Sequence, residues 1–402
     1  METADNEIAK YPTRLSPRFH WAGPKSRKCW CQSLSEWQLR LPNGAAKGLQ
    51  QFTKCCFPME LSGITMKFTH RLSIVDSHTA GEPSRFVVSG FPKIPGSTMA
   101  ERMHNLSNDF DWVRRVTMNE PRGHRDMFGG VLVPPADPTA HVGVVYMDGG
   151  QFYNMCGHAS LGLCGMLVET GQVPRTGTTT EVRIDTPAGL VVGSVTTTED
   201  GAIEAVSLID VASFAFALDQ YVDVPGYGRI RVDFGYGGNI FVIAEAADLG
   251  FRSIDPEHTT DLIKAGVALR EAARQQFRFQ HPEQPHINGI DLAMLTAAPS
   301  SDVTDARNIV ILGEAQADRS PCGTGTCARM AVEHAKGKLS VGQRFRHESS
   351  IKTYFDARIL ETTTVGELQA VVPEISCRPF LTGFSEFVVD PDDPLGHGFT
   401  LG

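Results

Sequence analysis

Apolar and polar positions begin to follow a regular pattern at Met66. FTHRLSIVDSHTAGEPSRFVVSG, residues 68–90, reads as two alternating strands around a polar turn holding Gly81 and Pro83. Leu106 to Met118 predicts one helix with Trp112, Val113 and Val116 on a shared side. HVGVVYMDGG, residues 141–150, is a β-branched strand with a Gly-Gly exit, and residues 183–201 read as a hairpin region. IRVDFGYGGNIFVIAEA, residues 230–246, predicts two strands around Gly237-Gly238. Asp261 to Phe277 predicts a helix, and NIVILGEAQ, residues 308–316, another strand. Strands and helices mix without regular βαβ alternation, so the fold class expected is α+β.

Residues 1–65 lack this periodicity and read as a poorly ordered N-terminal extension. They hold Trp21, Trp30 and Trp37, and also Cys29, Cys31, Cys55 and Cys56. Zinc sites pair cysteines two to four residues apart with a matching second pair. Cys-x-Cys and an adjacent Cys-Cys fit that spacing badly, so no metal is expected.

Two segments can be laid on one another. NMCGHASLGLCGMLVETGQV runs from Asn154 to Val173, and SPCGTGTCARMAVEHAKGKL from Ser320 to Leu339. Aligning Cys156 with Cys322 also aligns Gly157 with Gly323, Ser160 with Thr326 and Gly171 with Gly337, at an offset of 322 − 156 = 166 residues. Each segment follows a strand and becomes a helix that a glycine ends. Such a duplication predicts two similar lobes.

The position of Cys-Gly at each helix start carries the chemistry. The first N–H groups of a helix have no internal partner and carry positive partial charge. The expectation is a lowered thiol pKa at Cys156 and Cys322, and a carboxylate docked on the amides of Gly157, His158, Gly323 and Thr324. Thiols facing each other across a cleft could take a proton from one side of a carbon and return one to the other. Cys164 and Cys377 read as buried small hydrophobes, and Cys327 as core filler. His78, His124 and Asp126 read as structural hydrogen-bonding groups.

Composition narrows the classes. The 402 residues are 41% hydrophobic and 21% charged, with a net charge of −9. That describes a globular protein of more than one core. No basic stripe points to nucleic acid, and no apolar run reaches the ~20 residues of a membrane span. METADNEIAKYPTR, residues 1–14, has no apolar region of the secretory type. Nine unevenly spaced cysteines do not read as a disulfide framework, and a reducing cytoplasm is the expected location. A thiol–disulfide redox protein would need a Cys-x-x-Cys motif that neither box contains. A non-catalytic binding protein would tolerate loss of a thiol, and both are present.

NMCGHAS at Cys156 and DRSPCGTGT at Cys322 resemble the two signature boxes of the proline racemase family. The likeness extends to HTAGEPSR at His78, EPRGHRDMFGG at Glu120, DTPAGLV at Asp185, VDVPGYG at Val222 and TGFSEFVVDPDDPLGHGF at Thr382. Residues 1–65 fall outside it. The resemblance implies two pseudo-symmetric lobes similar to diaminopimelate epimerase, each a central helix wrapped by a strongly curved sheet, with the active site between them. The expected lobes are residues 66–195 with 366–402, and residues 196–365. It also implies a homodimer with no cofactor and no metal, acting on a small amino acid; the charge and hydropathy patterns add that neither nucleic acid nor membrane is an expected partner.

By position, the resemblance makes Cys156 and Cys322 the catalytic pair. Gly157, His158, Asp318, Gly323, Thr324 and Phe128 would hold the substrate, Asp318 near its amino group. The expected activity is proline racemisation by two thiols, with 4-hydroxyproline 2-epimerisation as the first alternative and trans-3-hydroxy-L-proline dehydration as the second. Dehydratases of the family carry Thr in place of the second Cys, and a hydroxyl is too weak an acid/base for two-sided exchange. Leu312 stands where a second Phe is expected, and Ala159 where the best-matching box has Asn, which leaves room for hydroxyproline.

Overall fold

The computed structural model describes residues 68–401 apart from residue 314. The expectations for residues 1–65 lie outside the described residues. The first half of the described chain runs β1 (His70–Thr79), β2 (Glu82–Ser89), α1 (Met99–Asp109), α2 (Asp111–Met118), β3 (Phe128–Val133), β4 (Val142–Asp148), β5 (Phe152–Tyr153), α3 (Gly157–Glu169), β6 (Thr179–Thr186), β7 (Gly189–Thr197) and β8 (Ile203–Ile209). The second half runs β9 (Ser213–Val224), β10 (Gly228–Tyr236), β11 (Ile240–Glu245), α4 (Thr259–Gln276), β12 (Leu292–Ala297), β13 (Ala306–Leu312), β14 (Gln316–Ala317), α5 (Gly323–Ala335), β15 (Arg344–Glu348), β16 (Tyr354–Val365), β17 (Leu368–Cys377) and β18 (Pro379–Val389). The class is α+β and rich in sheet.

The strand pairings repeat. β1 and β2 are antiparallel, β2 lies parallel to β3, β3 and β4 are antiparallel, and β4 lies parallel to β6. In the second half β10 and β11 are antiparallel, β11 lies parallel to β12, β12 and β13 are antiparallel, and β13 lies parallel to β15. Helices bridge the parallel steps, α1 with α2 and then α3 in one half, α4 and then α5 in the other. The second-half strands close into a ring, since β17 also pairs with β16 and β9, and β9 with β10. The first-half strands are met by the end of the chain: β18 pairs with β1, while β8 pairs with β7 and β17. Among the described residues no ladder joins β8 to β18.

The buried elements follow from their composition. FGGVLV of β3 and VGVVYMD of β4 are buried at every position, as continuous apolar strands are when both faces are covered. α3 is apolar all round and buried from Gly157 to Val168, so it lies inside the sheet, against β1, β2, β6, β7, β8 and β18. α5 lies against β9, β10, β11, β16 and β17. Each fully buried Leu or Met on these helices contributes roughly 1.5–3 kcal/mol. Gly171 and Gly337 take φ of +73° and +72° at the helix ends, a conformation that suits glycine.

The single helix expected over 106–118 is two helices. Thr98 and Glu101 form a capping box that starts α1 at Met99, and Phe110, at φ −127° and ψ 19°, leaves the helical region. Val113 and Val116 are buried, as expected of their shared face. Pro83 belongs to β2, opposite His78, and the turn is Ala80-Gly81.

Candidate active site

Both cysteines sit one residue ahead of a helix, Cys156 before α3 and Cys322 before α5. The helix starts meet. A Cβ on Gly157 would lie 2.5 Å from the Gly323 Cα, and one on Gly323 would lie 2.4 Å from the Gly157 Cα. Neither distance admits a side chain, so backbone packs on backbone there and glycine is required. The two positive helix ends thus converge, which is unfavourable unless an anion lies between or near them.

A small cavity opens at this junction. Its walls include Cys156, Gly157 and His158 from one helix start, and Cys322, Gly323 and Thr324 from the other. Asp318 and Phe128 also line it, so all eight residues expected at the site come together. Leu312 lines it too, whereas Ala159 is fully buried and is not among the lining residues. Tyr153, Met155, Asn239, Leu292 and Val310 complete the wall and were not anticipated. Only Asn239 has a sequence signal, a polar residue directly after Gly237-Gly238.

The surroundings of the two sulfurs differ. Cys156 Sγ lies 3.2 Å from His158 Nδ1, and the Phe128 ring stands edge-on to the His158 ring at 5.0 Å. Cys322 Sγ lies 3.8 Å from the Thr324 hydroxyl. The Cys322 N–H donates to Ser320 Oγ at 3.0 Å, and the Ser320 N–H donates to Asp318 Oδ1 at 2.7 Å. Cys322 holds φ at +64°, an uncommon conformation for a residue with a Cβ.

The expected lowering of the thiol pKa values is corrected. Burial at the junction pushes both thiols well above their ordinary value, and neighbouring negative groups add to it. Asp318 is the largest of these for Cys322, and Cys322 itself for Cys156. The N–H groups of Ala159 and Gly325 pull the other way but do not prevail. Burial also lowers the His158 pKa, which keeps the imidazole neutral near pH 7. Glu82, buried beside Asp318, is raised by the same cause.

The proline racemase family model matches residues 74–400. The chain belongs to the proline racemase family. The proline racemase of Clostridioides difficile is 42% identical over 336 residues, covering 84% of this chain and 100% of that protein. A 4-hydroxyproline 2-epimerase of Streptosporangium roseum is 43% identical over 327 residues, covering 81% and 97%. Among solved structures, a hydroxyproline epimerase from Agrobacterium vitis, with trans-4-hydroxy-L-proline bound, is similar at a TM-score of 0.79. It is 31% identical, over 84% of this chain and 96% of that one. A probable proline racemase from Agrobacterium radiobacter, with bound carbonate, gives 0.78 at 33% identity, over 82% and 96%.

In this proline racemase family member the other groups singled out in the sequence are not among the residues that line the cavity. His78 Nδ1 accepts from the Gly81 N–H at 3.4 Å, and His124 Nδ1 accepts from the Asp126 N–H at 3.2 Å. Asp126 pairs with Arg319 at 2.8 Å. Cys164 and Cys327 are fully buried, Cys327 donating to Asp210 at 3.5 Å, and Cys377 is half-buried. Among the described residues no group of three or more His, Cys, Asp or Glu could hold a metal, and no helix is long and apolar enough to cross a membrane.

Proposed function

We propose that this chain racemises proline without a cofactor, with Cys156 and Cys322 as opposed acid and base. The observation that carries this reading is the contact of Gly157 with Gly323, which brings both cysteines to one cavity. The substrate carboxylate docks on the amides of Gly157, His158, Gly323 and Thr324, where converging helix ends favour an anion. Its ring nitrogen lies toward Asp318, and its ring against Phe128 and Leu312. One thiolate takes the α-proton from one face, and the opposite thiol gives a proton to the other. The sulfur that gained a proton becomes the acid of the reverse reaction. The docked amides stabilise the charge that develops on the carboxylate. The raised thiol pKa values make each thiolate a stronger base but a scarcer one, and the positive ring nitrogen of a bound substrate offsets this by favouring the thiolate.

The second reading is 4-hydroxyproline 2-epimerisation. Leu312 in the cavity wall favours it, since an aliphatic side chain there leaves space beside the ring. Dehydration of trans-3-hydroxy-L-proline comes third, because position 322 carries a thiol. The lobes in this proposal are residues 66–195 with 366–402 and residues 196–365. The repeated pairings and the return of β18 to β1 support two lobes, but β8 pairs with β7 of the first and β17 closes the ring of the second with β16 and β9, so by pairing β8 goes with the first lobe and β17 with the second. The working form is a cytoplasmic homodimer, which rests on the family likeness and the cysteine pattern.

Exchange of the substrate α-hydrogen in deuterated water, run on L-proline and trans-4-hydroxy-L-proline side by side, tests the reading. Deuterium should enter proline with loss of optical rotation, and Cys156→Ser or Cys322→Ser should abolish the racemisation. Near-normal turnover by either variant refutes the two-thiol assignment. Exchange into hydroxyproline alone replaces the first reading by the second.

A further inference from the structure

In each half a buried polar side chain reaches across to the segment just before the other half's cysteine. Glu82 opens β2 directly after the Ala80-Gly81 turn and is 2% exposed. Asn239 follows the Gly237-Gly238 turn directly before β11 and is also 2% exposed. The hairpin β1–β2 corresponds to β10–β11 in the repeated pairing, so the two residues hold matching places.

Their partners lie in opposite halves. Glu82 Oε2 accepts a hydrogen bond of 2.6 Å from the Arg319 N–H. Arg319 belongs to the turn in which Asp318 and Ser320 anchor the Cys322 N–H. Asn239 Nδ2 donates to the Met155 carbonyl at 2.8 Å and to Thr324 Oγ1 at 3.4 Å. Met155 directly precedes Cys156. A backbone carbonyl only accepts, so the Asn239 amide nitrogen must face it and the side-chain orientation is fixed by chemistry. Thus the turn of the first half holds the loop before Cys322, and the turn of the second half holds the loop before Cys156.

We propose that Glu82 and Asn239 are a reciprocal pair of positioning residues, each fixing from the opposite half the loop that presents one cysteine to the cavity. The braces are unlike in chemistry. A carboxyl oxygen receives one backbone N–H, and an amide donates to one backbone carbonyl. Loss of either leaves a buried backbone group without its partner and frees one loop more than the other. The consequence for turnover rests on the proposed function; the crossed bracing itself does not.

The test labels the full-length protein with iodoacetamide and follows Cys156 and Cys322 separately by peptide mass spectrometry. Asn239→Leu, which keeps volume but no donor, should speed labelling of Cys156 relative to Cys322 by about fivefold. Glu82→Ala should speed labelling of Cys322 relative to Cys156 by about tenfold. Glu82→Gln keeps an oxygen for the Arg319 N–H and should recover most of that change. Asn239→Ser, with a shorter donor, should give a smaller rise than Asn239→Leu. Equal rises at both cysteines, no change at either, or a change at the cysteine of the same half would overturn the proposal. On proline, Asn239→Leu and Glu82→Ala should lower kcat more than they change KM. Crossed labelling in a chain that turns over neither proline nor hydroxyproline sinks the proposed function and keeps the braces. Even labelling in an active chain does the reverse.

Discussion

At the head of α3, Cys156 has extended backbone, φ −147°, and an imidazole nitrogen 3.2 Å from its sulfur. At the head of α5, Cys322 has φ +64° and a hydroxyl 3.8 Å from its sulfur, with Asp318 as the main negative neighbour. Behind them the frames agree. Ser160 and Thr326 each donate to the carbonyl of their cysteine at 2.7 Å. The N–H of Gly171 bonds to Val168 and that of Gly337 to His334, a spacing of 166 residues for donor and acceptor alike. The two ends therefore share a backbone scaffold and differ in what touches the sulfur. A duplicated scaffold can place two like groups about a centre, while single side chains give them unequal surroundings.

The contact shared by both ends is the place to break the comparison. Gly157→Ala or Gly323→Ala forces a methyl group into opposing backbone, so both should cut turnover by on the order of a hundredfold, the effect of a misplacement of about 1 Å. Steady-state racemisation with a thermal melt checks this. Near-normal turnover in either variant would mean that the helix starts need not touch.

Unequal surroundings predict unequal variants. His158→Ala removes a neutral imidazole in contact with its sulfur, whereas Thr324→Ala removes a distant hydroxyl. kcat/KM should fall roughly ten times further in the first, about 1.4 kcal/mol of transition-state stabilisation. Equal losses would show that the two sulfurs are served alike. Leu312→Phe should then shift preference toward proline over hydroxyproline by about tenfold, the scale at which a pocket resolves small changes of volume. Competition between the two amino acids in one vessel measures it.

The smallest expected effect separates the helices themselves. Ser160 on α3 bonds to the Tyr146 hydroxyl, but Thr326 on α5 bonds to His347 Nδ1 at 2.9 Å. Burial holds the His347 pKa well below its ordinary value. Below about pH 6.5 the unfolded chain takes up a proton that the native state refuses, so stability falls as pH falls. At pH 5.5 that loss is about 1 kcal/mol. His158 acts in the same direction. Asp210 and Asp291, pushed up to about 7 and about 6 by burial, act oppositely, since the folded state then binds more protons than the unfolded. Relative to the parent, the melting temperature of His347→Gln should be more favourable at pH 5.5 than at pH 7. An unchanged slope would place the acid sensitivity elsewhere.

Much of this site was legible in the residues. The cysteine boxes, their offset and the glycines that end both helices stand in the sequence, and so do the apolar runs of β4 and β13. The break at Phe110 was not legible, because Trp112, Val113 and Val116 keep helical spacing across it. Leu292, Val310 and Tyr153 were not legible as cavity wall either, for a buried side chain looks the same whether it faces a core or a pocket.

The sequence by itself determined the backbone of the strongly patterned segments, since hydrophobic spacing, capping residues and glycines act over a few neighbouring positions. It also determined that two similar cysteine boxes exist. The tertiary structure alone decided that Gly157 meets Gly323, that Glu82 and Asn239 reach across, and that both thiols are raised rather than lowered. Those outcomes depend on contacts between residues some 80 to 240 positions apart and on the exclusion of water around them, which no local pattern encodes.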